Sequence, residues 1–95
     1  AMLFTQNGIM NLRNKKWEDD FSPLDPDGTS YVDKAYSKAY LHHLFKAQEL
    51  LALQIASIHN LAFYLWLTRE ARRHIITGDF ASWKASMVNR VAARL

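Results

Sequence analysis

Leu50-Leu51-Ala52-Leu53-Gln54-Ile55-Ala56-Ser57-Ile58-His59-Asn60-Leu61-Ala62-Phe63-Tyr64-Leu65-Trp66-Leu67 is the stretch whose reading decides the fold. Leu51, Ile55, Ile58, Ala62 and Leu65 recur at helical spacing. A second apolar stripe, Leu50, Leu53, Leu61 and Tyr64, runs beside the first, and two stripes predict burial on more than one side. The stretch is also long enough to raise the question of a membrane span. Gln54, Ser57, His59 and Asn60 interrupt its centre, where polar side chains are costly in lipid, so the reading is a buried helix with no membrane partner.

Downstream, the helix is expected to end near Thr77, with Gly78 as its left-handed stop. Asp79 is placed to cap a last helix carrying Phe80, Trp83, Met87, Val88 and Val91. Upstream, Ser30 and Asp33 approximate a capping box for a helix running to about Lys46. Residues 15–30 read as loop, punctuated by Pro23, Pro26 and Gly28. Met2–Thr5 and Ile9–Leu12 flank Asn7-Gly8, a strong hairpin signal. The expected fold is therefore mostly α, an N-terminal β-hairpin followed by three helices. Residues 1–29 form the hairpin and loop, and residues 30–95 form one helical unit.

The chain has 95 residues and no cysteine, which excludes a disulfide framework and a thiolate metal site. A chain this short has a limited core and leans on other support. The missing cysteines and the lack of a secretory signal pattern fit a cytoplasmic protein. Charge is uneven along the chain. Residues 1–29 carry three Lys/Arg against five Asp/Glu, and residues 66–95 carry six against two. A basic C-terminal third suits a phosphate-rich partner, while charge alone favours the plainer reading, a solvated helix face.

Motifs for independent chemistry are absent. There is no G-x-S-x-G elbow, and three glycines form neither a dinucleotide fingerprint nor a P-loop. Glu18, Asp19, Asp20, Asp25 and Asp27 fall in a loop, where solvated carboxylates are expected. His42 and His43 point about 100° apart on a helix, so they cannot chelate one ion together; one should face the core and one the edge. Arg69, Arg72 and Arg73 lie within a turn of each other, and Lys84 adds charge on the last helix. These four are the candidate RNA-binding residues, and phosphate contacts of this kind are salt-dependent and sequence-blind. Nearby aromatics (Phe63, Tyr64, Trp66, Phe80, Trp83) are spaced for packing.

Several blocks carry a family resemblance: Leu3-Phe4-Thr5, Asn7-Gly8-Ile9, Asn11-Leu12-Arg13-Asn14-Lys15, Phe21-Ser22-Pro23-Leu24-Asp25-Pro26, Tyr36-Ser37-Lys38-Ala39-Tyr40-Leu41-His42-His43-Leu44 and Ile58-His59-Asn60-Leu61. In this order they resemble the C-terminal part of bacterial queuine tRNA-ribosyltransferases, the tRNA-guanine transglycosylases. The family carries C-x-C-x-x-C between the last two long blocks, and those thiolates hold zinc with a histidine of the next long helix. The matching positions here are Gly28, Ser30, Asp33 and His59, with only His59 retained. The resemblance thus implies a variant without the zinc, and we expect Asp33 to pair with His59 in its place, directly or through water.

The resemblance also implies a modified (β/α)8-barrel transferase that exchanges guanine for a queuine precursor at the tRNA wobble position. The catalytic aspartates of such an enzyme would lie upstream of position 1, so this piece is expected to be inactive by itself. Its implied role is support of tRNA-backbone binding and of a homodimer. The alternative is a stand-alone helical protein-interaction module with no RNA role.

Overall fold

The computed structural model describes residues 2–95. Strands β1 (Met2–Thr5) and β2 (Gly8–Asn11) pair antiparallel, with Thr5 opposite Gly8. The two-residue turn is therefore Gln6-Asn7, one position earlier than the Asn7-Gly8 reading. Gly8 opens β2 instead, at φ 142°, and a Cβ there would meet the Ala93 carbonyl oxygen at 2.6 Å. Conformation and close approach both require glycine at this position.

Helices follow at Val32–Ala35 (α1), Lys38–Lys46 (α2), Leu50–Thr77 (α3) and Phe80–Val91 (α4), after a 3-10 turn at Lys15–Trp17. Four helices replace the expected three because the segment from Ser30 to Lys46 is broken. Tyr36 is extended (φ −123°, ψ 147°), and its carbonyl accepts from Leu24 N–H at 2.8 Å. Ser37 is extended too, and its hydroxyl accepts from Tyr40 N–H at 3.1 Å, capping α2. The loop at Pro23 thus stitches itself to the break. Ser37→Ala is expected to cost about 1 kcal/mol, the usual value of such a cap, read as a lowered urea midpoint.

Ser30 does not cap as expected. The N-cap position of α1 is Tyr31, without a side-chain cap. Asp33 reaches back instead, its Oδ2 accepting from Ser30 N–H (2.9 Å) and Ser30 Oγ–H (2.8 Å). Asp79 occupies the cap position of α4, yet its carboxylate engages the Thr77 hydroxyl (2.6 Å) and His74 Nδ1 (2.8 Å) rather than a helix N–H. Gly78 ends α3 in the left-handed conformation, φ 86°, as its sequence position predicts.

The core joins Leu3, Met10 and Leu12 of the hairpin region to Trp17, Leu24, Val32, Leu41, Phe45, Ala52 and Ile55. His42 is buried, with Nδ1–H donating to the Leu12 carbonyl at 2.7 Å, while His43 is exposed. One histidine faces in and one out, as their 100° separation requires.

α3 is the spine, about 42 Å long at 1.5 Å per residue, in a molecule 46 Å along its longest axis. Its buried residues are Ala52, Ile55, His59 and Phe63, a single narrow stripe. Leu50, Leu53, Leu61, Tyr64 and Leu65 stand exposed, so burial on two sides is not found. Among the described residues the Phe4 ring approaches that face at Tyr64 (ring centroids 5.9 Å). By length and hydropathy alone α3 would also suffice to cross a membrane. Its central polar residues, His59 and Asn60, are instead hydrogen-bonded to the hairpin.

Both hairpin edges are occupied. On the β2 side, Ile9 N–H donates to Ala93 O (2.8 Å) and Leu95 N–H donates to Ile9 O (3.0 Å). On the β1 side, Phe4 N–H donates to Asn60 Oδ1 (3.0 Å) and Asn60 Nδ2–H to Met2 O (3.2 Å). A lone two-stranded ribbon is marginal in water, and these contacts supply the support that it lacks.

Candidate functional site

The corner between the 25–33 loop and the middle of α3 concentrates the buried polar groups of the chain. Asp25, Asp33 and His59 are each at most 5% exposed, in a molecule with few other buried polar side chains. Their ligand-type atoms lie within 4.8 Å of one another. Gln6, Gly28, Thr29, Phe63 and Trp66 complete the recess around them.

His59 is held at both ring nitrogens. Nε2–H donates to the Phe4 carbonyl at 2.8 Å, and Nδ1 is in direct hydrogen-bond contact with Asp33 Oδ1. A carbonyl only accepts, so Nε2 must carry a proton, and a carboxylate partner favours a second proton on Nδ1. Burial opposes the charged imidazolium, but the Asp33 hydrogen bond and charge, the Phe4 carbonyl and the Asp25 charge outweigh it. The His59 pKa is raised. Burial likewise works against an ionised Asp33, and is outweighed by its hydrogen bonds from His59 and Ser30, so its pKa is lowered. Asp25 goes the other way. Its burial dominates the pull of His59, and its carboxyl titrates above the ordinary carboxylate range. The expectation of a solvated Asp25 is thus corrected: the loop folds it inward, where its Oδ1 accepts from Asp27 N–H at 3.2 Å. Sequence reasoning missed Asp25 because a carboxylate beside two prolines looks like a turn residue.

The Asp33–His59 pair is where the spacing placed it. A structural zinc, in contrast, does not fit these residues. Such a site wants four converging donors, usually sulfur and imidazole nitrogen. Gly28 has no donor, the Ser30 hydroxyl donates to Asp33, and Asp33 faces His59 Nδ1 directly. Asp25, Asp33 and His59 are near enough to share an ion, but two of the three are already engaged with each other.

The candidate RNA-binding residues lie at the far end of α3 and on α4. Arg69, Arg72, Arg73 and Lys84 are all exposed. Arg73 pairs with Glu70 at 2.7 Å, while Arg69 and Arg72 make no ion pair among the described residues. Lys84 lines an apolar groove between α3 and α4 with Leu67, Trp83 and Met87, a groove that none of the three arginines lines.

A family model described as Queuine tRNA-ribosyltransferase matches residues 1–93. The chain belongs to that family. Similar relatives bearing the same name include those of Aquifex aeolicus (43% identical over 93 residues, 98% of this chain and 25% of the relative). Others are from Helicobacter acinonychis (44% over 90 residues, 95% and 24%) and Francisella tularensis subsp. novicida (43% over 82 residues, 86% and 22%). The chain spans about a quarter of the length of these curated relatives. The match to the queuine tRNA-ribosyltransferase family includes both the 25–33 loop and His59.

Proposed function

We propose that this chain serves as the helical, tRNA-supporting part of a tRNA-guanine transglycosylase, a cytoplasmic transferase that exchanges guanine for a queuine precursor at the wobble position. The observation that carries the reading is family membership over residues 1–93. Beside it stand two exposed arginines on a basic helix, Arg69 and Arg72, without acidic partners among the described residues. In this reading, residues 30–95 form the subdomain next to a barrel, and the catalytic aspartates belong to other parts of the enzyme. The 95-residue chain alone is inactive, and guanine release from tRNA by it would overturn that. The exposed Leu53, Leu61 and Leu65 on α3 favour a covering surface, either the barrel or a second copy.

Titrating labelled tRNA at 50 and 200 mM salt tests the proposal. Binding should weaken steeply with salt, by about 0.7–0.9 in log K per log salt for each phosphate contact. Replacing Arg69, Arg72 and Arg73 with alanine should lower that slope by two to three such steps, with Arg73 contributing least. No salt-dependent binding, or an unchanged slope in the triple variant, would favour the alternative, a protein-interaction module. Light scattering on the same samples checks self-association, which a monomer at every concentration would exclude.

A further inference from the structure

Position 28 has an ordinary backbone: its φ lies outside the left-handed range that only Gly8 and Gly78 adopt among the glycines. Replacing such a glycine by alanine ordinarily stabilises a protein, by restricting the unfolded chain. Here a Cβ would collide with Asp33. All three nearest atoms belong to Asp33, whose Cβ stands 2.8 Å away, with Cγ and Oδ2 nearer still. The obstacle is the Asp33 side chain, locked in place by Ser30 on one oxygen and His59 on the other.

We infer that Gly28 and Asp33 are one interlocked substitution: the Asp33 carboxylate fills the volume that any side chain at position 28 would occupy, and so closes the corner onto His59 by direct contact in place of a metal. Two thiolate-bearing residues could not stand here as the backbone does, because their Cβ atoms would already overlap. The loop has drawn in further than a cage of cysteines allows. The inference is independent of the tRNA reading, since it concerns only what holds the corner.

A graded substitution series in the 95-residue chain tests it by thermal melting. Gly28→Ala in the native background should lower Tm by roughly 5–20 °C, an overpacking penalty. With Asp33→Asn, which keeps the shape, the penalty should persist. With Asp33→Ala it should shrink, because only the Cβ at 2.8 Å remains. With Asp33→Gly it should vanish or change sign, since the three nearest obstacles are then gone and the usual benefit of alanine can show. If the glycine variant fails to fold, the Asn-to-Ala difference still decides. A harmless Gly28→Ala, or a penalty that ignores residue 33, would overturn the interlock. Elemental analysis of the purified native chain should find no stoichiometric zinc, and a chelator should leave Tm unmoved. Zinc near one per chain, with a chelator-dependent Tm, would overturn it as well.

Discussion

His59→Leu should cost about 3–5 kcal/mol, the usual penalty for removing one partner of a buried ion pair. Small domains are stable by only about 5–15 kcal/mol, so this change removes a large part of the total. The melting temperature should fall by more than about 10 °C. Leucine fills much of the volume but leaves the Asp33 charge buried with Ser30 as its remaining partner, and strips the Phe4 carbonyl of its donor. The double variant His59→Leu/Asp33→Leu should recover part of the loss, because replacing both members of a buried pair by apolar groups is often near neutral. A single-variant loss below about 1 kcal/mol would show that the pair does not hold the corner.

Stability should also peak on the acid side of neutrality, and the sign follows from the two partners. The lowered pKa of Asp33 gives stability that is present above the unfolded value, about 3.9, and lost as pH falls through the folded one. The raised pKa of His59 gives stability complete below about 6.5 and lost as pH rises through the folded value. Asp25, with its raised pKa, subtracts stability as it ionises above about 3.9 and so steepens the decline away from acid conditions. Melting temperature should therefore fall from pH 6 toward pH 9, and again below about pH 4. Asp33→Asn should flatten the alkaline limb, since the imidazolium loses the carboxylate that favours it. A Tm that is level from pH 5 to pH 9 would contradict the charged pair.

Much of this was legible in the sequence, for physical reasons that differ by element. The existence of the hairpin and α4 and the left-handed stop at Gly78 follow from local chemistry, whereas the hairpin turn moves one residue, to Gln6-Asn7, and the Asp79 side chain turns away from its cap. The Asp33–His59 pair followed from family spacing, because a ligand position faces the same point whatever residue fills it. Ser37 is a favoured N-cap residue, yet a single serine inside an apolar periodic run is a weak sign of a break. The break at Tyr36-Ser37 depends on Leu24 N–H finding the Tyr36 carbonyl, a contact between distant residues. The exposed face of α3 departs from the two-stripe expectation because periodicity reports which residues are apolar, not whether anything covers them. The pairing of Ala93 and Leu95 with β2 escaped notice because three residues are too few to show a strand pattern.

The double anchoring of His59 also sets an order of events in folding. Its partners lie 26 residues away at Asp33 and 55 residues away at Phe4, whereas the hydrogen bonds of α3 are local. Local contacts form quickly, and distant ones wait on the entropy of closing the intervening loop. The helix can therefore exist before the corner does, holding the imidazole ready on its surface. Closure of the chain onto that one side chain then belongs to the slow part of the reaction.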